Sequence, residues 1–212
     1  MLQEQTLQTS TLELLKKLMS DSELVDFYLV GGTALALRIG HRISIDLDLF
    51  TCNLFDNMQL REYLEYNYGF KTSYIAANTL KGEINGVKID CITHKYKWLD
   101  TSTIDGIRLA GIKDICAMKL NSIAGNGTRI KDFIDLAYLS QHYSLRQMLG
   151  FFEEKYNANP VMVLKAITFF DEINYNEPVK LCNATKLNWK KIVKRLSEMT
   201  KYIDKKFSEP PL

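Results

Sequence analysis

The sequence predicts an α+β fold, with a small mixed β-sheet in residues 1–110 and a helical region, residues 111–212, packed against it. Three features predict it. Short alternating or apolar runs of strand length crowd the first half. An Asn85-Gly86 step separates two of them, which is a strong hairpin signal. After Gly111 the apolar spacing turns helical and stays so almost to the end.

The elements follow in order. Leu7, Leu12, Leu14, Leu15, Leu18 and Met19 recur at roughly helical spacing over 6–20. Phe27–Val30 is a short strand ending in two glycines, and the run after it is a helix that stops at Gly40. Over 43–50, Ile43, Ile45, Leu47 and Leu49 alternate with Ser44, Asp46, Asp48 and Phe50, the period of a strand. A helix is expected over 56–67, strands over 71–77, 79–85 and 87–93, and another short strand over 104–109. Helices are expected over 112–124, 129–142, 145–157, 160–171 and 187–206. No linker, repeat or low-complexity segment interrupts them.

Hydrophobic residues make up 46% and charged residues 25%, so a packed core is expected rather than disorder. The net charge is +2, but residues 1–110 carry −3 and residues 111–212 carry +5. Such a division suits metal ions on one side and phosphates on the other, or is plain surface composition. The four cysteines form no C-x-x-C pair and have no histidine cluster beside them, which argues against a zinc site or a disulfide framework. Without a signal-like stretch or an apolar run long enough to span a bilayer, a cytoplasmic location and no membrane partner are expected.

The chemistry centres on Gly31-Gly32-Thr33 and Asp46-Leu47-Asp48. Asp46 and Asp48 are two apart on a strand, so both side chains point to one face. Adjacent carboxylates repel unless a cation lies between them, and Mg²⁺ takes carboxylate oxygens together with substrate phosphates. The glycines let the backbone approach a phosphate, and the helix starting at Thr33 offers N–H groups to an anion. The plain alternative is a solvent-facing strand with alternating charge.

Asp90, in Gly-Val-Lys-Ile-Asp-Cys-Ile-Thr, is the third carboxylate; a strand pairing with 43–50 would bring it beside the other two. Lys119 lies within the apolar stripe Ile112, Ile115, Cys116, Leu120 and Ile123, where an ammonium needs anions or a path to solvent. A triphosphate or the carboxylates would supply anions, and Lys119→Met is then expected to keep or raise stability. Lys131 and Asp135 stand at i,i+4 on the next helix, as an internal salt bridge or as part of a site. His41-Arg42 is a weaker phosphate candidate. The basic residues of 186–207, Lys190, Lys191 and Lys194 among them, form either a solvated face or a guide for RNA. No Walker loop, GxGxxG or Gly-x-Ser-x-Gly occurs.

The run Tyr28-Leu-Val-Gly-Gly-Thr through Ile45-Asp-Leu-Asp-Leu-Phe50, with Ile130-Lys-Asp-Phe-Ile-Asp-Leu-Ala downstream, resembles the AbiEii/AbiGii toxin family of nucleotidyltransferases in the DNA polymerase β-like superfamily. The resemblance covers roughly residues 25–140. It implies a nucleotidyltransferase core with Asp46 and Asp48 as metal-binding and catalytic carboxylates, beside which Asp90 is expected to complete the metal shell or to polarise the acceptor hydroxyl as a third catalytic carboxylate. It further implies Gly31, Gly32, Thr33, Lys119 and Lys131 at the nucleotide, and Asp135 with Lys119 among the catalytic groups. The implied cofactor is Mg²⁺ with an NTP as substrate. The implied acceptor is tRNA, another RNA or a protein, and the implied role is the toxin of a pair with a cognate antitoxin. Thr33 stands where serine is commoner and keeps the hydroxyl. Two rivals remain: a small-molecule nucleotidyltransferase of the antibiotic-modifying kind, and a nucleotide-binding scaffold without turnover.

Overall fold

The computed structural model describes residues 1–183 and 186–212. It contains two compact units, Met1–Ala110 and Gly111–Leu212. Among the described residues no helix is long and apolar enough to cross a membrane.

The first unit holds α1 (Thr9–Ser20), β1 (Tyr28–Leu29), α2 (Gly31–Ile39), β2 (Leu47–Thr51) and α3 (Asn57–Tyr68). After these come β3 (Lys71–Ala76), β4 (Thr79–Ile84), β5 (Val87–Thr93), β6 (Thr101–Ile104) and β7 (Ile107–Ala110). The strands form one mixed sheet in the order β3-β4-β5-β2-β1-β7-β6. β2 runs parallel to β5 and β1 parallel to β7, and the other neighbours are antiparallel. In-register residues share a face. Leu80, Cys91, Leu49, Leu29 and Leu109 therefore make one apolar row across five strands, each at most 1% exposed. That row is the core of the sheet. α1 contacts β7, and α3 contacts β3 and β4.

Two details of the sheet differ from expectation. The strand expected over 43–50 begins only at Leu47. Ser44 is buried, its N–H donates to the Thr6 carbonyl, and Ile45 is 52% exposed, so the alternation breaks there. The single strand expected over 104–109 is a hairpin, with Asp105 (φ 52°) and Gly106 (φ 78°) as its two-residue turn. Asp-Gly is the same kind of turn signal as Asn85-Gly86, which does close β4 onto β5 with φ of 50° and 79°.

The second unit holds α4 (Ile112–Gly125), α5 (Ile130–Leu139), α6 (Leu145–Tyr156), α7 (Val161–Ala166) and α8 (Trp189–Lys201). α6 opens with a capping box in which Ser144 and Gln147 satisfy each other's backbone N–H. α7 and α8 are shorter than the spacing predicts. Asn188 caps α8 by accepting from the Lys191 N–H, which sets its start inside the expected run.

Candidate active site

The glycine turn is shaped by the side chains that lie against it. Gly31 begins α2 with φ of +67°, a conformation open to glycine at little cost. A Cβ there would stand 2.4 Å from Oδ2 of Asp48. A Cβ on Gly32 would stand 2.2 Å from Nη2 of Arg42. The two glycines thus leave room for one carboxylate and one guanidinium at the start of a helix whose N-cap residue, Val30, makes no side-chain hydrogen bond to it. The first N–H groups of such a helix favour an anion.

Thr33 ties that helix to the acidic segment. Its side chain is buried, its hydroxyl donates to the main-chain carbonyl of Asp46, and it shares a 2.8 Å hydrogen bond with the Ser44 hydroxyl. The Val30 N–H donates to the Asp48 carbonyl at 2.9 Å. The Thr33 hydroxyl therefore positions the Asp-x-Asp segment. Arg42, 3% exposed, is steadied by its Nη1, which donates to the Ile43 carbonyl at 3.2 Å.

Asp48 and Asp90 are register partners on the parallel strands β2 and β5, so the two carboxylates lie on one face of the sheet. Both are half-buried. The next partner along that row is Lys81 on β4, whose Nζ lies 2.6 Å from Oδ2 of Asp90. Lys81 escaped the reading of the sequence, yet it was countable. A two-residue turn at Asn85-Gly86 pairs Ile84 with Val87 and hence Lys81 with Asp90. Asp46 sits one residue before β2, half-buried, with its carbonyl held by Thr33. Among the described residues no three His, Cys, Asp or Glu side chains converge as a metal cage. The donors nevertheless suit Mg²⁺, which binds through one or two carboxylates and completes its shell with substrate phosphates and water.

The residues expected on the helices have local partners. Lys119 on α4 is 5% exposed, and its Nζ lies 2.6 Å from Oδ1 of Asp132 and 2.6 Å from Oδ2 of Asp135. Ser122 donates to the other oxygen of Asp132 at 3.0 Å. The anions that a lysine in that apolar stripe requires are thus supplied by α5. The i,i+4 bridge between Lys131 and Asp135 does not form, because Lys131 reaches Glu177 at 3.1 Å and Asp135 turns to Lys119. A second buried pair that the sequence reading missed joins Lys155 on α6 to Asp114 on α4 at 2.5 Å.

Comparison with known proteins places the chain in a family. Residues 13–85, which carry the glycine turn and Asp46-Leu47-Asp48, match the family described as nucleotidyl transferase AbiEii toxin, type IV TA system. A protein of Aquifex aeolicus, aq_aa25, itself uncharacterized, is 33% identical over 168 residues, covering 76% of this chain and 81% of that one. The chain belongs to the AbiEii nucleotidyltransferase family. Two crystal structures from Helicobacter pylori share the fold of this AbiEii protein. JHP933 is 19% identical with a TM-score of 0.56, covering 93% of each chain. The other, inferred to be a nucleotidyltransferase, is 17% identical with a TM-score of 0.55, covering 93% of this chain and 96% of that one.

Proposed function

We propose that this nucleotidyltransferase moves a nucleotide from an NTP to a hydroxyl of an RNA or protein acceptor, with Mg²⁺ as cofactor, and acts in the cytoplasm as the toxin of a toxin–antitoxin pair. The observation that carries the reading is the pairing of Asp48 with Asp90 on one sheet face, with the Asp48 carboxylate seated against the glycine turn. The family description supports the toxin role and a cognate antitoxin partner.

In this reading the backbone N–H groups of Gly32 and Thr33 receive the triphosphate, and Arg42 beside Gly32 adds positive charge. Asp46 and Asp48 would hold Mg²⁺, with the charge of the neighbouring Asp90 favouring the cation, and the ion would neutralise phosphate charge and polarise a phosphoryl oxygen. Asp90 takes the proton of the acceptor hydroxyl once Lys81 yields its carboxylate. The hydroxyl oxygen bonds to the α-phosphorus, the bond from that phosphorus to the β-phosphate oxygen breaks, and pyrophosphate leaves with the electron pair. Catalysis is mostly positioning and charge stabilisation. Lys119, Asp132 and Asp135 serve the packing of the helical unit, and Lys131 its surface.

The test is incubation of the purified protein with each α-labelled NTP, Mg²⁺ and either total RNA or cell extract. Label should pass to a macromolecule with wild-type protein and not with Asp46→Ala or Asp48→Ala, both folded by circular dichroism. Label on neither RNA nor protein with any NTP would reject the reading.

A further inference from the structure

β5 carries Asp90 and then leaves the sheet as His94-Lys95-Tyr96-Lys97-Trp98, an alternation of rings and cations. The His94 ring lies 5.9 Å from Phe50, 5.4 Å from Tyr96 and 5.5 Å from Trp98, the last with the rings stacked. Trp98 lies 5.6 Å from Tyr28. Phe50 is two residues beyond Asp48, and Tyr28 is its register partner. The cluster therefore stands on the sheet face that carries Asp48 and Asp90, opposite the apolar core row. The loop is anchored there: the His94 N–H donates to the Thr51 carbonyl at 2.7 Å, and the Cys52 thiol donates to the Tyr96 carbonyl at 3.3 Å.

All five rings stay partly exposed, and Lys95 and Lys97 are exposed. Lys95 Nζ lies 5.2 Å from the Tyr96 ring centre. Rings that reach solvent between lysines suit a ligand that is flat and anionic by turns. Single-stranded nucleic acid has that chemistry, with bases that stack on aromatic rings and phosphates that take lysines. An acidic peptide would use the lysines and leave the stack unexplained.

We propose that loop 94–98 binds the single-stranded end of an RNA acceptor, with a base extending the Trp98–His94 stack and phosphates on Lys95 and Lys97. The surface would deliver the terminal hydroxyl to the neighbouring Asp48–Asp90 face, a consequence that rests on the reading of that face as the transfer site; binding itself does not.

The experiment is fluorescence anisotropy of an end-labelled single-stranded oligoribonucleotide, without metal or NTP, across a salt series. Wild-type protein should prefer the single strand to the same RNA in a duplex. Lys95→Gln with Lys97→Gln should weaken binding and lower the log–log salt slope by about 1.4, for two phosphates. Trp98→Leu should weaken binding by roughly 5- to 150-fold, the range for one stacked base, with less change in the slope. Tyr96→Leu serves as the second ring variant if Trp98→Leu unfolds. No preference for the single strand, or unchanged affinity and slope in the lysine variant, overturns the proposal; labelling of a protein rather than RNA in extract, lost in the same variant, overturns it in favour of a protein acceptor. Nucleotide transfer that survives with unaltered RNA binding in the loop variants would sink the loop alone, whereas intact RNA binding without transfer by wild type would sink the transfer site alone.

Discussion

The Asp48 carboxylate fills the space that a side chain on residue 31 would need, its Oδ2 lying 2.4 Å from where a Cβ would be. Gly31→Ala therefore carries two costs. Alanine at a positive φ costs on the order of 1–3 kcal/mol, and the carboxylate must move aside. A displacement of about 1 Å in a site that works by positioning costs roughly 100-fold in rate. The expected variant is folded, less stable in thermal melts by several degrees, and slower in transfer by about two orders of magnitude. Full activity would separate Asp48 from the chemistry.

Lys81 competes with any cation for Asp90, since its ammonium lies 2.6 Å from the carboxylate. Lys81→Met removes the competitor without removing the donor. The half-saturating Mg²⁺ concentration for transfer should fall, by a few-fold because the pair is partly exposed and screened by solvent. An Mg²⁺ dependence that is unchanged would mean that Asp90 stays outside the metal's reach.

Lys119 stands between two carboxylates that are each at most 1% exposed, which reverses the stability expected for its replacement. Lys119→Met fits the apolar stripe of α4 but removes the ammonium that the buried Asp132 and Asp135 share. Breaking a buried ion pair from one side costs about 3–5 kcal/mol. Chemical denaturation should show a loss of that size, partly recovered when Asp132 and Asp135 are also made Asn. A melt equal to wild type would mean that the triad contributes nothing to the fold.

The elements legible in the sequence are those whose period is strong and whose ends carry turn chemistry. β4 and β5 follow from alternation and Asn85-Gly86, and the Asp48–Asp90 pairing follows once β2 and β5 are neighbours. The Asp105-Gly106 turn carries the same signal, inside the run expected as one strand over 104–109. The start of β2 was not visible, because what ends the alternation is a tertiary contact, the hold of Thr33 and Thr6 on residues 44–46. The partners of Lys119 were hidden for a related reason. Local spacing offered Lys131 as the mate of Asp135, while the packing of α4 on α5 supplied a nearer cation.

Thiol chemistry gives an independent check on the sheet. Burial pushes the Cys91 thiol up to about 12, with the charge of Asp90 adding to it, and burial also raises Cys116. Cys52 is exposed. Thiolate is the reactive form, so alkylation at pH 8 should modify Cys52 in the folded protein and reach Cys91 and Cys116 only on unfolding. Peptide mass mapping after a short iodoacetamide pulse reads this out. Rapid modification of Cys91 in folded protein would contradict its place in the core row.

The most direct test of the central claim is the yield of α-labelled nucleotide transferred to acceptor across an Mg²⁺ series, for wild type and Asp48→Asn. Asparagine keeps the shape and removes the charge, so the fold and the fit against Gly31 should persist. Transfer should rise with Mg²⁺ in wild type and be at least about 100-fold lower in Asp48→Asn at every concentration. Equal transfer by the two proteins, or transfer indifferent to Mg²⁺, would contradict it.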